Sequence, residues 1–361
     1  MTVWAPPLGG AYRLLHDHRK DDGMSLGFGL LSAQTRPGET DWSRAYEETL
    51  RIAADAERLG FRSIWTTEHH FVDDGYMPSL MVVSAALAAV TESIEIGTGV
   101  LLAPLHHPLR LAEDAATVDL ISKGRLVLGL GLGWSEIEFE AMGADIHRRG
   151  AAMEEILHIL PEAWSGSPFR QRGGLYEFPE LAVRPTPSRR IPILVGGSAE
   201  PAIRRAARHA DGIFANATVE RFLEQLGWIK DELDQVRRDP GEFRIVHYSV
   251  MLPGDSEEEA WADGLPHLWQ MMWKYADMEA SASRSGPAPQ APSLTDENQQ
   301  ALRRRSTLAG TSEEIVAKLL DIREQSGVNV EFVARSYFPT MEYAEQLELM
   351  EKLATEVASH L

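Results

Sequence analysis

Glu68-His69-His70-Phe71 sets a carboxylate beside two imidazoles. An imidazole titrates near neutrality, so it can give or take a proton at physiological pH, which is the work of a general acid or base. The tetrapeptide follows Phe61-Arg62-Ser63-Ile64-Trp65-Thr66-Thr67, a β-branched and aromatic run that reads as a buried strand. The segment just past a strand's C-terminal end is where α/β proteins place functional residues. A histidine pair hydrogen-bonded to backbone is the plainer alternative, and His69 and His70 are both carried as catalytic candidates. Zinc fits less well, because adjacent histidines do not converge on one ion and no spaced His-Asp or His-x-Glu partner stands nearby.

Other groups fall at equivalent positions. Gly97-Thr98-Gly99 ends a third strand, and Gly129-Leu130-Gly131-Leu132-Gly133-Trp134 ends a fourth. Glycines there let a flat ligand approach the backbone, and Thr98 offers a hydroxyl; equally, the glycines give room inside a barrel mouth. Trp134 stands where a third glycine would complete a dinucleotide fingerprint, so that motif is absent. Gly196-Gly197-Ser198 leads into a helix containing Pro201, whose free amides and Ser198 Oγ would cradle an anion, unless Ser198 is a plain N-cap. Arg335 reads as a surface salt bridge or as a holder of a substrate anion. Tyr76 and Trp134 join it as substrate-contact candidates.

These positions need a frame. Strand-like and helix-like segments alternate along the chain at short spacing. Strands are expected at Ser25–Leu31, through Trp65, at Ile94–Leu102, from Arg125, at Ile191–Val195, Gly212–Phe214, Phe243–Leu252 and Val328–Val333, with helices between them. Eight apolar strands with alternating helices predict a (β/α)8 TIM barrel, with a doubly wound open sheet as the alternative. Two segments break the rhythm. Residues 166–190, after strand four, read as a hairpin; residues 254–308, after strand seven, carry Trp261, Trp269, Met271, Met272 and Trp273 and read as a lid or as a helix using those side chains as core. One domain over residues 25–361 is expected, preceded by an extension over residues 1–24 whose Trp4 and Tyr12 would pack on a neighbour.

Composition narrows the function classes. Lys and Arg number 35 against 54 Asp and Glu, a net charge of −19, which disfavours nucleic acid and anionic membrane as partners. The absence of cysteine excludes disulfides and thiolate chemistry. No apolar run reaches the length of a membrane span, and the first residues lack a signal-peptide core, so a cytoplasmic location is expected.

Together these segments resemble the bacterial luciferase-like flavin-dependent monooxygenases. Glu68 to Phe71 matches the family's strand-two motif, and Thr91 to Val100 its Gly-Thr-Gly strand. His107-Pro108-Leu109-Arg110-Leu111-Ala112-Glu113-Asp114, followed by Gly124-Arg125-Leu126 and Gly129 to Trp134, is the most specific block. Ala207 to Gly212 and Ala309 to Glu314 resemble later signatures. The resemblance implies a two-component enzyme that takes reduced FMN from a separate flavin reductase. It further implies a C4a-hydroperoxyflavin, formed with dioxygen, that oxidises a small, largely apolar substrate. It makes His69 the catalytic imidazole, with Glu68 and His70 orienting it. The flavin ring would lie near Thr98, Gly99 and Gly131, and the phosphate on Gly196, Gly197 and Ser198. Leu132 departs from the luciferase pattern, in which an arginine stands, so the phosphate needs another cation. The resemblance also implies a non-prolyl cis peptide near Val82 to Ser84, a structural ion-pair network of Glu113, Asp114 and Arg125, and a homodimer. A deazaflavin-dependent oxidoreductase of the same fold and a non-catalytic flavin-binding partner subunit are the alternatives.

Overall fold

The computed structural model describes residues 26–361, so the N-terminal extension with Trp4 and Tyr12 lies outside the described residues. Strands β1 (Leu26–Leu31), β2 (Ser63–Thr66) and β3 (Glu95–Thr98) pair in parallel, followed by a two-residue β4 (Leu101–Leu102) and by β5 (Leu126–Gly131). An antiparallel hairpin, β6 (Phe169–Gln171) with β7 (Phe178–Leu181), interrupts the order where a hairpin is expected. The series resumes with β8 (Ile193–Gly196), β9 (Gly212–Ala215), β10 (Arg244–Pro253), β11 (Thr307–Gly310) and β12 (Val330–Arg335). β12 returns to β1 with Leu26 opposite Phe332, closing a parallel barrel through β1, β2, β3, β5, β8, β9, β10 and β12. This is the TIM barrel, not the open sheet. β11 stays outside the ring, paired to the far end of the long β10.

The helices wrap the barrel in chain order: α1 (Trp42–Arg58), α2 (Leu80–Val90), α3 (Pro108–Ser122), α4 (Glu136–Met142), α5 (Arg149–Trp164), α6 (Glu200–His209), α7 (Val219–Val236), α8 (Glu257–Ser281), α9 (Asp296–Arg303), α10 (Ser312–Ser326) and α11 (Tyr343–Lys352). Their ends follow local chemistry. Asp41 accepts from the Arg44 amide to start α1, Pro108 opens α3, and Thr311 with Glu314 forms a reciprocal capping box on α10.

The interior is filled by aromatic rings and the glycines opposite them. Trp65 stacks on Phe214 with centroids 4.5 Å apart, and Phe214 on Tyr248 at 4.6 Å. A Cβ on Gly97 would collide with the Trp65 ring, and one on Gly99 would lie 2.8 Å from the Phe214 ring. At the strands' N-terminal ends Arg244 bonds Glu331 at 2.7 Å and Glu95 at 3.1 Å, a charged floor under that stack.

Several expectations need correction. The helix α4 is unread in the sequence, because its seven residues, with Ile137, Phe139, Ala141 and Met142 as the apolar side chains, are too few to show a helical period. Val82 to Ser84 lie inside α2, where the Val83 amide bonds Ser79 O in ordinary trans helical geometry. Among the described residues the non-prolyl cis bonds are Gly29-Leu30 and Gly99-Val100. Arg125 is structural, yet it joins no ion pair with Glu113 or Asp114, both of which face Arg110. Its guanidinium instead donates to the carbonyls of Ala88, Thr91, Ile94 and Ser122, tying the ends of α2 and α3 to β3.

Candidate active site

His69 leaves β2 at the barrel mouth and is almost fully buried. Its Nδ1 lies 3.0 Å from Glu138 Oε1, and that carboxylate also accepts the His70 amide at 2.8 Å. With Nδ1 donating to that oxygen, Nε2 is left as the acceptor of the imidazole. Glu138 sits on α4 at 1 % exposure, so the bond is made out of water, where it fixes both the tautomer and the ring plane.

Three aromatic rings enclose that imidazole edge-on. Tyr76 stands 4.9 Å from it, Tyr275 5.6 Å and Trp134 5.7 Å, centroid to centroid. The tyrosines share a polar chain running across the site. Arg335 Nη2 donates to Tyr275 Oη at 2.8 Å, Tyr275 and Tyr76 hydroxyls meet at 3.1 Å, and Tyr76 donates to Thr67 Oγ1 at 3.3 Å. Each hydroxyl can accept from one neighbour and donate to the next. Burial holds the Tyr76 hydroxyl well above the ordinary tyrosine range, so it stays a neutral donor.

Tyr275 belongs to α8, and α8 is fastened over the mouth by charge. Lys274 bonds Asp73 and, at 3.0 Å, Asp277, while Arg284 bridges the same two carboxylates. Ser135 Oγ donates to Glu279 Oε1 at 2.9 Å, so the helix joins the loop after β2 to the loop after β5. The first half of α8 buries Trp261, Leu265 and Leu268 against Val250, Leu252 and Phe338. Trp261 is therefore core, and the part facing His69 is Tyr275. Within segment 254–308 the first half of α8 is the packed helix, with Trp261 in its core.

Of the residues expected in the site, His69, Tyr76, Trp134 and Arg335 come together. His70 does not turn toward them: its Nε2 lies 3.3 Å from Glu68 Oε1. Glu68 does not orient His69 either. It accepts the Leu102 amide and lies 3.3 Å from His106 Nε2. Burial pushes its carboxyl up, but His106 and His70 outweigh that and hold it at about 2. The orienting carboxylate is Glu138, for which α4 gave no sequence signal. Tyr275 and Tyr248 were also missed, since nothing local marks them.

Arg335 is no surface salt bridge, because among the described residues no carboxylate pairs with it. Thr98 Oγ1 is committed to Gly129, donating to its carbonyl at 2.7 Å and accepting its amide at 2.8 Å. Gly131 makes room for Val100. Gly197 and Ser198 are exposed on the rim, ahead of α6. Ser198 is not the N-cap of that helix; Ala199 is, and no side chain caps it, but Pro201 has no N–H and the Ala202 amide bonds Ala199 O, so the first turn offers an anion the Glu200 amide. Ser198 O accepts from Arg221 Nη2 at 3.0 Å. Among the described residues no group of three His, Asp or Glu is placed to hold a metal, and no helix is long and apolar enough to cross a membrane.

A profile described as "Luciferase-like monooxygenase" matches residues 25–329. Limonene 1,2-monooxygenase of Rhodococcus erythropolis is 25% identical over 315 residues, 85% of this chain and 79% of that protein. The oxygenase component of the flavin-dependent trigonelline monooxygenase of Acinetobacter baylyi is 34% identical over 144 residues, 39% of this chain and 40% of that one. An F420-dependent glucose-6-phosphate dehydrogenase of Microbacterium testaceum is 31% identical over 187 residues, 50% of this chain and 56% of that one. The chain spans about half the length of several curated relatives it matches. Among solved structures, the monooxygenase RslO1 of Streptomyces bottropensis superposes with a TM-score of 0.78 at 25% identity, covering 93% of this chain and 99% of that one.

Proposed function

This chain belongs to the luciferase-like monooxygenase family, and we propose that it is the FMN-dependent oxygenase of a two-component system. In this reading a separate flavin reductase in the cytoplasm supplies reduced FMN, and a small, largely apolar organic molecule is oxidised with dioxygen. The observation that carries the reading is His69: an imidazole fixed by a buried carboxylate, with its free nitrogen inside an aromatic cup. The residues present suit a flavin. The backbone amides of Gly197 and Ser198 on the exposed rim ahead of α6, with that of Glu200 in its first turn, offer a phosphate seat, and Arg221, which bonds Ser198 O and pairs with Glu224, stands beside it as the cation that Leu132 does not supply. Gly99, Gly131 and Gly196 do not add to this seat, because Phe214 and Val100 occupy the space where their side chains would stand.

Reduced flavin would supply two electrons to dioxygen, so that one oxygen atom enters the substrate and the other leaves as water. The chain's own residues do the rest. His69 Nε2 moves the proton at the reacting oxygen, Glu138 holds that imidazole in register, and Tyr76, Trp134 and Tyr275 exclude water and position the substrate. The test uses NADH, a flavin reductase, FMN and ¹⁸O₂ with a panel of aldehydes, ketones and aromatic acids. One labelled oxygen atom in a product is expected, and substrate reduced or dehydrogenated without oxygen uptake would sink the reading. The similarity to an F420-dependent dehydrogenase supports a second reading, hydride transfer with a deazaflavin. It requires the same panel to turn over anaerobically with reduced F420.

The active unit is proposed to be a homodimer. The outer face of α2 carries Val82, Ala86, Ala89 and Val90, and Val82 is 71 % exposed. A helix apolar on its outer face needs a partner, and a second copy presents the same surface.

A further inference from the structure

Arg335 ends β12 inside the mouth, between two aromatic rings. Its Cζ lies 5.4 Å from the Tyr275 centroid and 6.0 Å from the Tyr248 centroid. A guanidinium has five N–H donors, and a single bond, from Nη2 to Tyr275 Oη, accounts for its contacts with described residues. Among the described residues no carboxylate faces it. The two cations that fasten α8 beside it are paired: Lys274 and Arg284 each hold Asp73 and Asp277. A charge set in a half-buried aromatic site without a counter-ion is costly, and an arriving anion removes that cost.

Tyr275 fixes where such an anion would sit relative to the chemistry. One edge of its ring faces His69, and its hydroxyl holds Arg335. The imidazole and the guanidinium therefore both adjoin the same tyrosine. The walls between them are Tyr76, Trp134 and Tyr248, flat surfaces that favour a flat body. The planar fork of arginine matches a carboxylate with two parallel hydrogen bonds.

We propose that Arg335 is the anion anchor of the substrate site, and that the substrate is a planar aromatic or heteroaromatic carboxylate bound with its reacting carbon toward His69. The oxidation of that molecule rests on the oxygenase reading above; its binding rests on the Arg335 geometry alone.

The test is a fluorescence titration of the full chain, following its tryptophans, with benzoate, 4-hydroxybenzoate and nicotinate, each against its neutral amide. Wild type is compared with Arg335→Gln and Arg335→Lys, and reduced FMN is titrated into each. At least one acid is expected to bind wild type about tenfold or more tightly than its amide, the scale of a hydrogen bond to a charged group. Arg335→Gln should erase that preference and leave amide and FMN binding unchanged. Should Arg335→Gln not fold, Arg335→Lys decides, with a weakened acid and an unchanged amide as the expected result. Equal binding of acid and amide by wild type, no binding of any acid, or a preference that survives Arg335→Gln overturns the proposal. Loss of FMN binding in Arg335→Gln, with no acid preference in wild type, gives the guanidinium to the flavin and overturns it as well. A clear acid preference in a chain that takes no reduced FMN upholds the anion anchor and removes the oxygenase reading.

Discussion

Two side chains far apart in sequence, His69 and Glu138, share a hydrogen bond of 3.0 Å, and the proposed chemistry turns on it. Replacing His69 with Ala or Gln is expected to lower turnover by about 10²-fold or more while reduced FMN still binds, as removal of a general acid or base does. Unchanged turnover would take His69 out of the mechanism. Glu138→Ala should leave KM near its original value, lower kcat about tenfold or more, and move the pH profile, since the imidazole loses both its tautomer and its partner. A variant with normal kcat and an unmoved profile would reduce Glu138 to a packing residue. His69 was legible in the sequence because an imidazole past a strand end is a local pattern. Glu138 was not, because its role exists only once α4 folds back over the loop after β2.

Elements explain why the mouth is covered. α8 is held by Asp73, Lys274, Asp277 and Arg284, all drawn from two segments about 200 residues apart in sequence. Lys274→Met leaves Asp73 buried with half its partners, a change that costs about 3–5 kcal/mol when a buried pair is broken. Faster proteolysis within residues 254–308 and a raised KM are the expected readouts, and a variant as protease-resistant as wild type would contradict the fastening role.

The same junction is pH-sensitive. Burial pushes the Asp74 carboxyl up to about 6, against the opposing pull of Lys274 and Gln34. A carboxyl raised in the folded state contributes stability that is fully present below its unfolded value, near 3.8, and lost as pH rises through 6. Thermal stability should therefore lose a component between pH 4 and 7, roughly the span bounded by those values, that Asp74→Asn does not lose. An identical pH dependence in both proteins would refute the assignment. The insertion's place in the chain was readable, since it breaks a βα rhythm. Its contacts were not, because Asp73 looks like an ordinary loop residue until α8 lies on it.

At the scale of the molecule, barrel and family follow from periodicity and local motifs, so both were legible. Surfaces were less so: the glycines after β3 and β5 read equally as ligand contacts or as room for Trp65, Val100 and Phe214, and only packing decides between them. The apolar face of α2 bears on assembly. Val82→Glu is expected to convert a dimer to monomers in light scattering, and a wild-type chain that is already monomeric would contradict the shared interface.

The most direct test of the central claim is an anaerobic titration of the wild-type chain with reduced FMN, run in parallel with reduced F420 and followed by tryptophan fluorescence. Saturable binding of reduced FMN with little response to F420 is the expected result. Tight binding of F420 with none of FMN, or no response to either, would contradict it.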